Sequence, residues 1–106
     1  MRFELHAKGI ALSDRLRRFI EKKLQSTLGR FSHLVQRVRV RLTDENGPKG
    51  GEDIQCQIRT SLGRAGVVTI NETRSDPFAA VARASDRASH RLSRHWARVH
   101  ARQRGR

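Results

Sequence analysis

The sequence predicts an α+β domain of two layers, a four-stranded sheet with two helices on one face, in the order β-α-β-β-β-α. Three observations predict it. Residues 35–43 and 54–61 alternate apolar and polar side chains with a period of two, the mark of strands with one buried face. Two stretches, 14–28 and 77–100, carry apolar residues at helical spacing. The chain has 106 residues, which fits one domain with one core. Two helices packed on one face of a sheet is a standard solution for burying those faces.

Each element follows in order. Residues 2–7 place Phe3 and Leu5 on one side and Arg2, Glu4 and His6 on the other, which predicts a first strand ended by Lys8-Gly9. Ser13 is a good N-cap, and Asp14 suits the positive end of a helix dipole. Leu16, Phe19, Ile20, Leu24 and Leu28 then recur at helical spacing, so a first helix is expected over 14–28, stopped by Gly29. In the second strand Val38, Val40 and Leu42 face one way and Arg37, Arg39 and Arg41 the other. Asp44 to Asp53 reads as a mobile loop by composition, and Gly47, Gly50 and Gly51 in it match no phosphate-binding loop. Ile54, Cys56 and Ile58 face inward in the third strand. A turn near Leu62-Gly63 leads to a fourth strand at about 65–72, with Val68 and Ile70 inward. The last three strands are expected to form an antiparallel meander.

Asp76 caps the last helix, and Pro77 takes its first position, where a missing N–H costs nothing. Phe78, Val81, Ala82, Ser85, Ala88, Leu92, Trp96 and Val99 trace its apolar face to about residue 100. The expected organisation is a single domain over 1–100 and a basic tail over 101–106.

Charge is the dominant feature of the composition. Lys and Arg number 23 against 10 Asp and Glu, a net charge of +13 with a pI near 11.8. A surplus this large recruits polyanions. Residues 1–43 hold 11 basic and 3 acidic side chains, residues 74–106 hold 9 and 2, and the middle is slightly acidic. Nucleic acid is the commonest polyanion for a small cytoplasmic protein. A lone cysteine, Cys56, excludes an internal disulfide and a cysteine-based zinc site. No signal core and no membrane-length apolar run occurs, so a cytoplasmic protein with no membrane partner is expected.

On the last helix Arg83, Arg87, His90, Arg91, Arg94 and Arg98 fall nearly opposite the apolar face, a ridge about 22 Å long at ~1.5 Å per residue. Like charges at i,i+4 destabilise a helix, so a stripe of nearly one sign points to phosphate contact rather than a merely wet face. The first helix offers Arg15, Arg17, Arg18, Lys22 and Lys23. They are spread around its surface, and solvated surface and RNA contact stay open there. Side by side with the last helix, Arg18, Lys22 and Lys23 would extend the ridge into a patch. Arg37, Arg39 and Arg41 read slightly better as charges that guard an exposed strand. That face lacks the aromatic residues that stack bases.

Signals for chemistry are weak. Histidines at 90, 95 and 100 turn by about 140° each step and do not converge on a metal. Cys56 sits in an apolar alternation and reads as core. Trp96 reads as packing. No catalytic residues, metal, cofactor or small-molecule substrate is expected, and the chain is not expected to be an enzyme.

Taken together the pieces resemble the ribosome hibernation-promoting factors, also called ribosome-associated inhibitors or ribosomal subunit interface proteins. The stretch Arg-Phe-Glu-Leu-His-Ala-Lys-Gly-Ile-Ala-Leu-Ser-Asp-Arg-Leu-Arg-Arg-Phe-Ile-Glu-Lys-Lys-Leu is similar to that family's first strand and helix. Asp76-Pro77-Phe78-Ala79-Ala80-Val81 is similar to the start of its second helix, and Asp86-Arg87 and Arg91-Leu92 follow at family spacing. The resemblance covers about residues 2–98. It implies a fold akin to double-stranded-RNA-binding domains with the first element changed. It also implies binding to the small ribosomal subunit and its rRNA, in the channel for mRNA and for tRNA at the A and P sites, which blocks translation in stationary phase or stress. Carried over by position, the RNA contacts would be Lys22, Lys23, Arg87, His90 and Arg94, with His90 standing where the family usually has Arg. Arg83, Arg91 and Arg98 are added from the stripe. The chain ends at Arg106 without the C-terminal dimerisation domain of long members, so it resembles the short form, and a monomer is expected off the ribosome. The alternative is a general structured-RNA binder, such as an assembly or chaperone factor. Charge reversal at Arg87 and Arg94 is expected to abolish ribosome association with the fold intact.

Overall fold

The computed structural model describes residues 1–44 and 53–104, with side chains to residue 99. The expected loop across 45–52, with its three glycines, lies outside the described residues, as do residues 105–106 of the expected tail. The elements are β1 (Arg2–Lys8), α1 (Asp14–Leu28), β2 (Arg37–Asp44), β3 (Ile54–Ser61), β4 (Val67–Arg74) and α2 (Pro77–Arg104). The strands lie in the order β1-β2-β3-β4. β1 is parallel to β2, as a strand–helix–strand crossover requires. β2, β3 and β4 form the antiparallel meander.

Alternation became burial. Val38, Val40 and Leu42 of β2 and Ile54, Cys56 and Ile58 of β3 are buried, as are Val68 and Ile70 of β4. The register lines up Leu5, Val40, Ile58 and Ile70 as cross-strand neighbours through all four strands. Leu16, Ile20, Leu24 and Leu28 of α1 and Ala80, Val81, Ala84, Ala88 and Leu92 of α2 close the same core from one side. Cys56 is part of it, and burial pushes its thiol up to about 12. It is a core residue, with its thiolate suppressed.

The caps behave as the sequence predicts. Ser13 Oγ accepts from the Leu16 amide at 3.1 Å. The Asp76 carboxylate accepts from the Phe78 and Ala79 amides at 3.4 and 3.3 Å. α1 ends at Leu28 before Gly29, as expected, while some other boundaries differ. Gly29 does not enter the left-handed region (φ −57°, ψ −35°). The chain instead tightens into a 3-10 turn over Gly29–Phe31, which buries Phe31. β2 starts at Arg37, because Val35 is still tied by its amide to Phe31 O at 3.0 Å. β4 starts two residues late, because Gly63–Ala65 form a second 3-10 turn closed by Leu62 N–H donating to Gly66 O at 2.8 Å. Gly66 there has φ +102°, a conformation that favours glycine.

α2 runs on to Arg104 rather than fraying near 100. Its 28 residues rise about 42 Å, whereas an eight-residue strand spans about 26 Å. The helix therefore outruns the sheet, and Leu92 is its last buried residue among those described.

One core group is unsatisfied. Ser85 Oγ is fully buried with no hydrogen-bond partner among the described residues. A buried hydroxyl without a partner costs about 1–3 kcal/mol. Ser85→Ala is therefore expected to stabilise the domain by about 1 kcal/mol, read as a higher urea midpoint at unchanged m-value.

Candidate nucleic-acid interface

α2 delivers the cationic residues, and its rotation decides how. Ala80 and Ala84 are fully buried, although their short side chains gave no strong apolar signal. They let α2 settle closely on β3 and β4, and they swing its buried arc toward the arginines. At ~100° per residue the ridge sits on the flank of α2 above β4, not opposite the core.

Arg83, His90, Arg91, Arg94 and Arg98 are exposed on that flank. Arg83, Arg87, His90, Arg91 and Arg94 line one open hollow of about 490 Å³ whose floor includes Ile70 of β4. Among the described residues, no carboxylate lies within ion-pair distance of Arg83, Arg91, Arg94 or Arg98. Asp86 is the one acid in the hollow, and Lys23 of α1 holds it at 3.2 Å. These exposed arginines form an unneutralised field on a rigid helix.

Arg87 stands apart. Its Nη1 donates to Glu72 Oε2 at 2.7 Å and to the Asn71 carbonyl at 2.8 Å. Glu72 also accepts from Arg74 Nε at 3.0 Å. Burial alone would raise the Glu72 carboxyl, but hydrogen bonds from Arg87 and Arg74, with their charges, hold it below the ordinary carboxylate range. Arg87 is thus committed to the edge of β4. Reversing its charge would set two carboxylates against each other, so that substitution is expected to cost some stability as well as binding. Nothing in the sequence signalled this pair, because it depends on the helix rotation.

A depressed carboxylate stabilises the fold where it is ionised. Its contribution is present above the unfolded value and is lost as pH falls through the lower folded value. NMR titration of the Glu72 side chain is expected to give a midpoint below that of a free Glu, about 4.3. In Arg87→Ala the midpoint should rise.

Residues from α1 divide. Lys23 is spent on Asp86. Arg18 and Lys22 are exposed and line a different hollow, with Arg15, Phe19, Asp76 and Phe78. Phe19 and Phe78 meet edge to face at 5.1 Å, and the Arg15 guanidinium lies 5.4 Å from the Phe78 ring. α1 and α2 do pack together, but Arg18 and Lys22 border the start of α2 rather than the Arg83–Arg94 hollow. Trp96 is half-buried and meets His33 edge to face at 5.7 Å. Neighbouring His95 lies with Nε2 2.7 Å from the Ala65 carbonyl, tying α2 to the β3–β4 turn.

Among the described residues, no group of three His, Cys, Asp or Glu is placed to hold a metal ion, and no helix is long and apolar enough to cross a membrane. One pinned arginine and a flank of exposed ones give this side of the helix a positive potential, which attracts anions.

Residues 3–100 match the family model described as Sigma 54 modulation protein / S30EA ribosomal protein. A chloroplastic ribosome-binding factor, PSRP1 of Spinacia oleracea, is 28% identical over 79 residues, which is 73% of this chain. The match spans only 26% of that relative's length. The Protein Y N-terminal domain of Thermus thermophilus has a TM-score of 0.73 and 25% identity, covering 89% of this chain and 98% of that one. A ribosomal subunit interface protein from Coxiella burnetii shares the fold, with a TM-score of 0.77 at 16% identity over 92% of this chain and 99% of that one. The chain belongs to the Sigma 54 modulation protein / S30EA ribosomal protein family, the non-enzymatic ribosome-binding factors that include the hibernation-promoting factors and Protein Y.

Proposed function

We propose that this protein is a hibernation factor that docks on the small ribosomal subunit, in the channel for mRNA and for tRNA at the A and P sites, and stops translation in stationary phase or stress. The observation that carries this reading is the flank of α2, where Arg83, Arg91, Arg94 and Arg98 stand exposed with no carboxylate within ion-pair distance among the described residues. Guanidinium groups grip phosphate bidentately, and such contacts fix a protein on RNA without reading sequence. Family membership supports the ribosome as the source of that RNA. Arg18 and Lys22, beside the start of α2, make a second point of contact on the helical layer. The pairing of Arg87 with Glu72 makes Arg87 a support for the flank rather than its main grip.

The test is competition. Purified small subunits should bind the protein with an affinity that falls steeply with salt, and tRNA bound at the P site should displace it. Binding to free duplex RNA that equals binding to subunits, with no effect of tRNA, would reduce the reading to general RNA affinity.

A further inference from the structure

The open face of the sheet carries a second concentration of charge. β1 presents Arg2, Glu4 and Lys8 there, β2 presents Arg37, Arg39 and Arg41, and β3 presents Arg59. Glu4 is the single carboxylate among these strand residues. It accepts from Arg37 Nε at 2.9 Å and from Arg39 Nε at 3.4 Å. Arg59 has no such partner among the described residues. Its cross-strand neighbours are Arg39 on one side and Thr69 on the other. Like charges directly opposite on antiparallel strands destabilise a sheet, and Glu4 offsets the Arg39–Arg59 pair on the Arg39 side only. Guarding an exposed strand needs charge at an edge, yet β2 and β3 are the two central strands.

Around that pair the surface is concave. Arg37, Arg39, Arg59 and Ser61 enclose a hollow of about 150 Å³, roomy enough for a tetrahedral oxyanion. Three guanidinium side chains and a hydroxyl line it, all of them donors, with Arg37 and Arg39 each giving an Nε–H to Glu4 and keeping their other N–H groups. Among the described residues no Phe or Trp stands on the open face of the strands, and His6 is its one ring, so base stacking is not its main offer.

We propose that this face is a second phosphate-binding surface, centred on Arg37, Arg39, Arg59 and Ser61, that takes the backbone of an RNA segment other than the one held by the α2 flank. The two surfaces belong to opposite layers of a molecule that measures 23 and 18 Å along its short axes. A single domain would then meet RNA on two of its faces. This rests on the reading that the partner is ribosomal RNA, and the experiment separates the two.

Arg41→Gln/Arg59→Gln removes two cations that have no carboxylate beside them among the described residues. With purified small subunits, this variant is expected to bind about ten- to a hundredfold more weakly, with a log–log salt slope shallower by about two. Its melting temperature should equal or slightly exceed that of the wild type, because the Arg39–Arg59 like-charge pair is relieved. Unchanged affinity and slope would overturn the second surface and leave the α2 reading standing. A second measurement does not depend on the variant's folding. Nε–H resonances of Arg37, Arg39 and Arg59 in the wild-type chain should shift when subunit-derived rRNA fragments are added. If only arginines of α2 respond, the second surface fails. If neither set responds, both readings fail. Shifts on adding anionic lipid vesicles, with none on adding RNA, would also overturn the proposal.

Discussion

Arg91→Glu/Arg94→Glu is expected to lower affinity for the small subunit about a thousandfold and to leave the melting temperature within a degree or two. Both side chains are exposed on the flank of α2, with no carboxylate beside them among the described residues. The fold loses nothing when they change, and it sheds two like charges from a crowded helix face. A charge-assisted hydrogen bond contributes about 1.5–3 kcal/mol. Two such contacts amount to about 3–6 kcal/mol at 1.4 kcal/mol per tenfold, before the repulsion of two new carboxylates is counted. The measurement is co-sedimentation with subunits across a salt series, beside a thermal melt. Retained sedimentation at low salt would remove the flank from the interface. Arg87→Glu makes the contrast, because it should lose stability as well as binding by facing Glu72.

Ile58→Ala is expected to cost about 2–5 kcal/mol, the largest single loss of stability here. Ile58 is fully buried in the central strand β3, between Val40 and Ile70 in register. Truncation opens a cavity at the middle of the row that joins all four strands. A domain of this size has about 5–15 kcal/mol in total, so the variant should show a large drop in urea midpoint. A loss under 1 kcal/mol would mean that α1 and α2 collapse into the gap.

Most of the fold was legible in the chain because each strand has one dry and one wet face. Ile54, Cys56 and Ile58 alternate with polar residues, and no helix would keep them together. Ser13 and Asp76 marked helix starts because capping is local chemistry. The ends were less legible. Gly29 reads as a stop, yet Phe31 and Val35 need burial, and a 3-10 turn gets them there. The rotation of α2 was hidden because Ala80 and Ala84 act through what they lack. That rotation moved the ridge to the flank and brought Arg87 to Glu72, a partner 15 residues away on another element. The residues of the basic face were thus readable, but their division into exposed and committed groups was not.

α2 has a further consequence because it outruns the layer beneath it. Past Leu92 it is a cantilever, clamped at its root by the core and held to the body by the partly buried His95 and Trp96. Arg83 stands over the packed layers, whereas Arg98 stands past the last buried residue, on the stretch that His95 and Trp96 hold to the body. In the proposed complex, an anionic surface that met the whole row would therefore be met partly above the domain and partly beyond it.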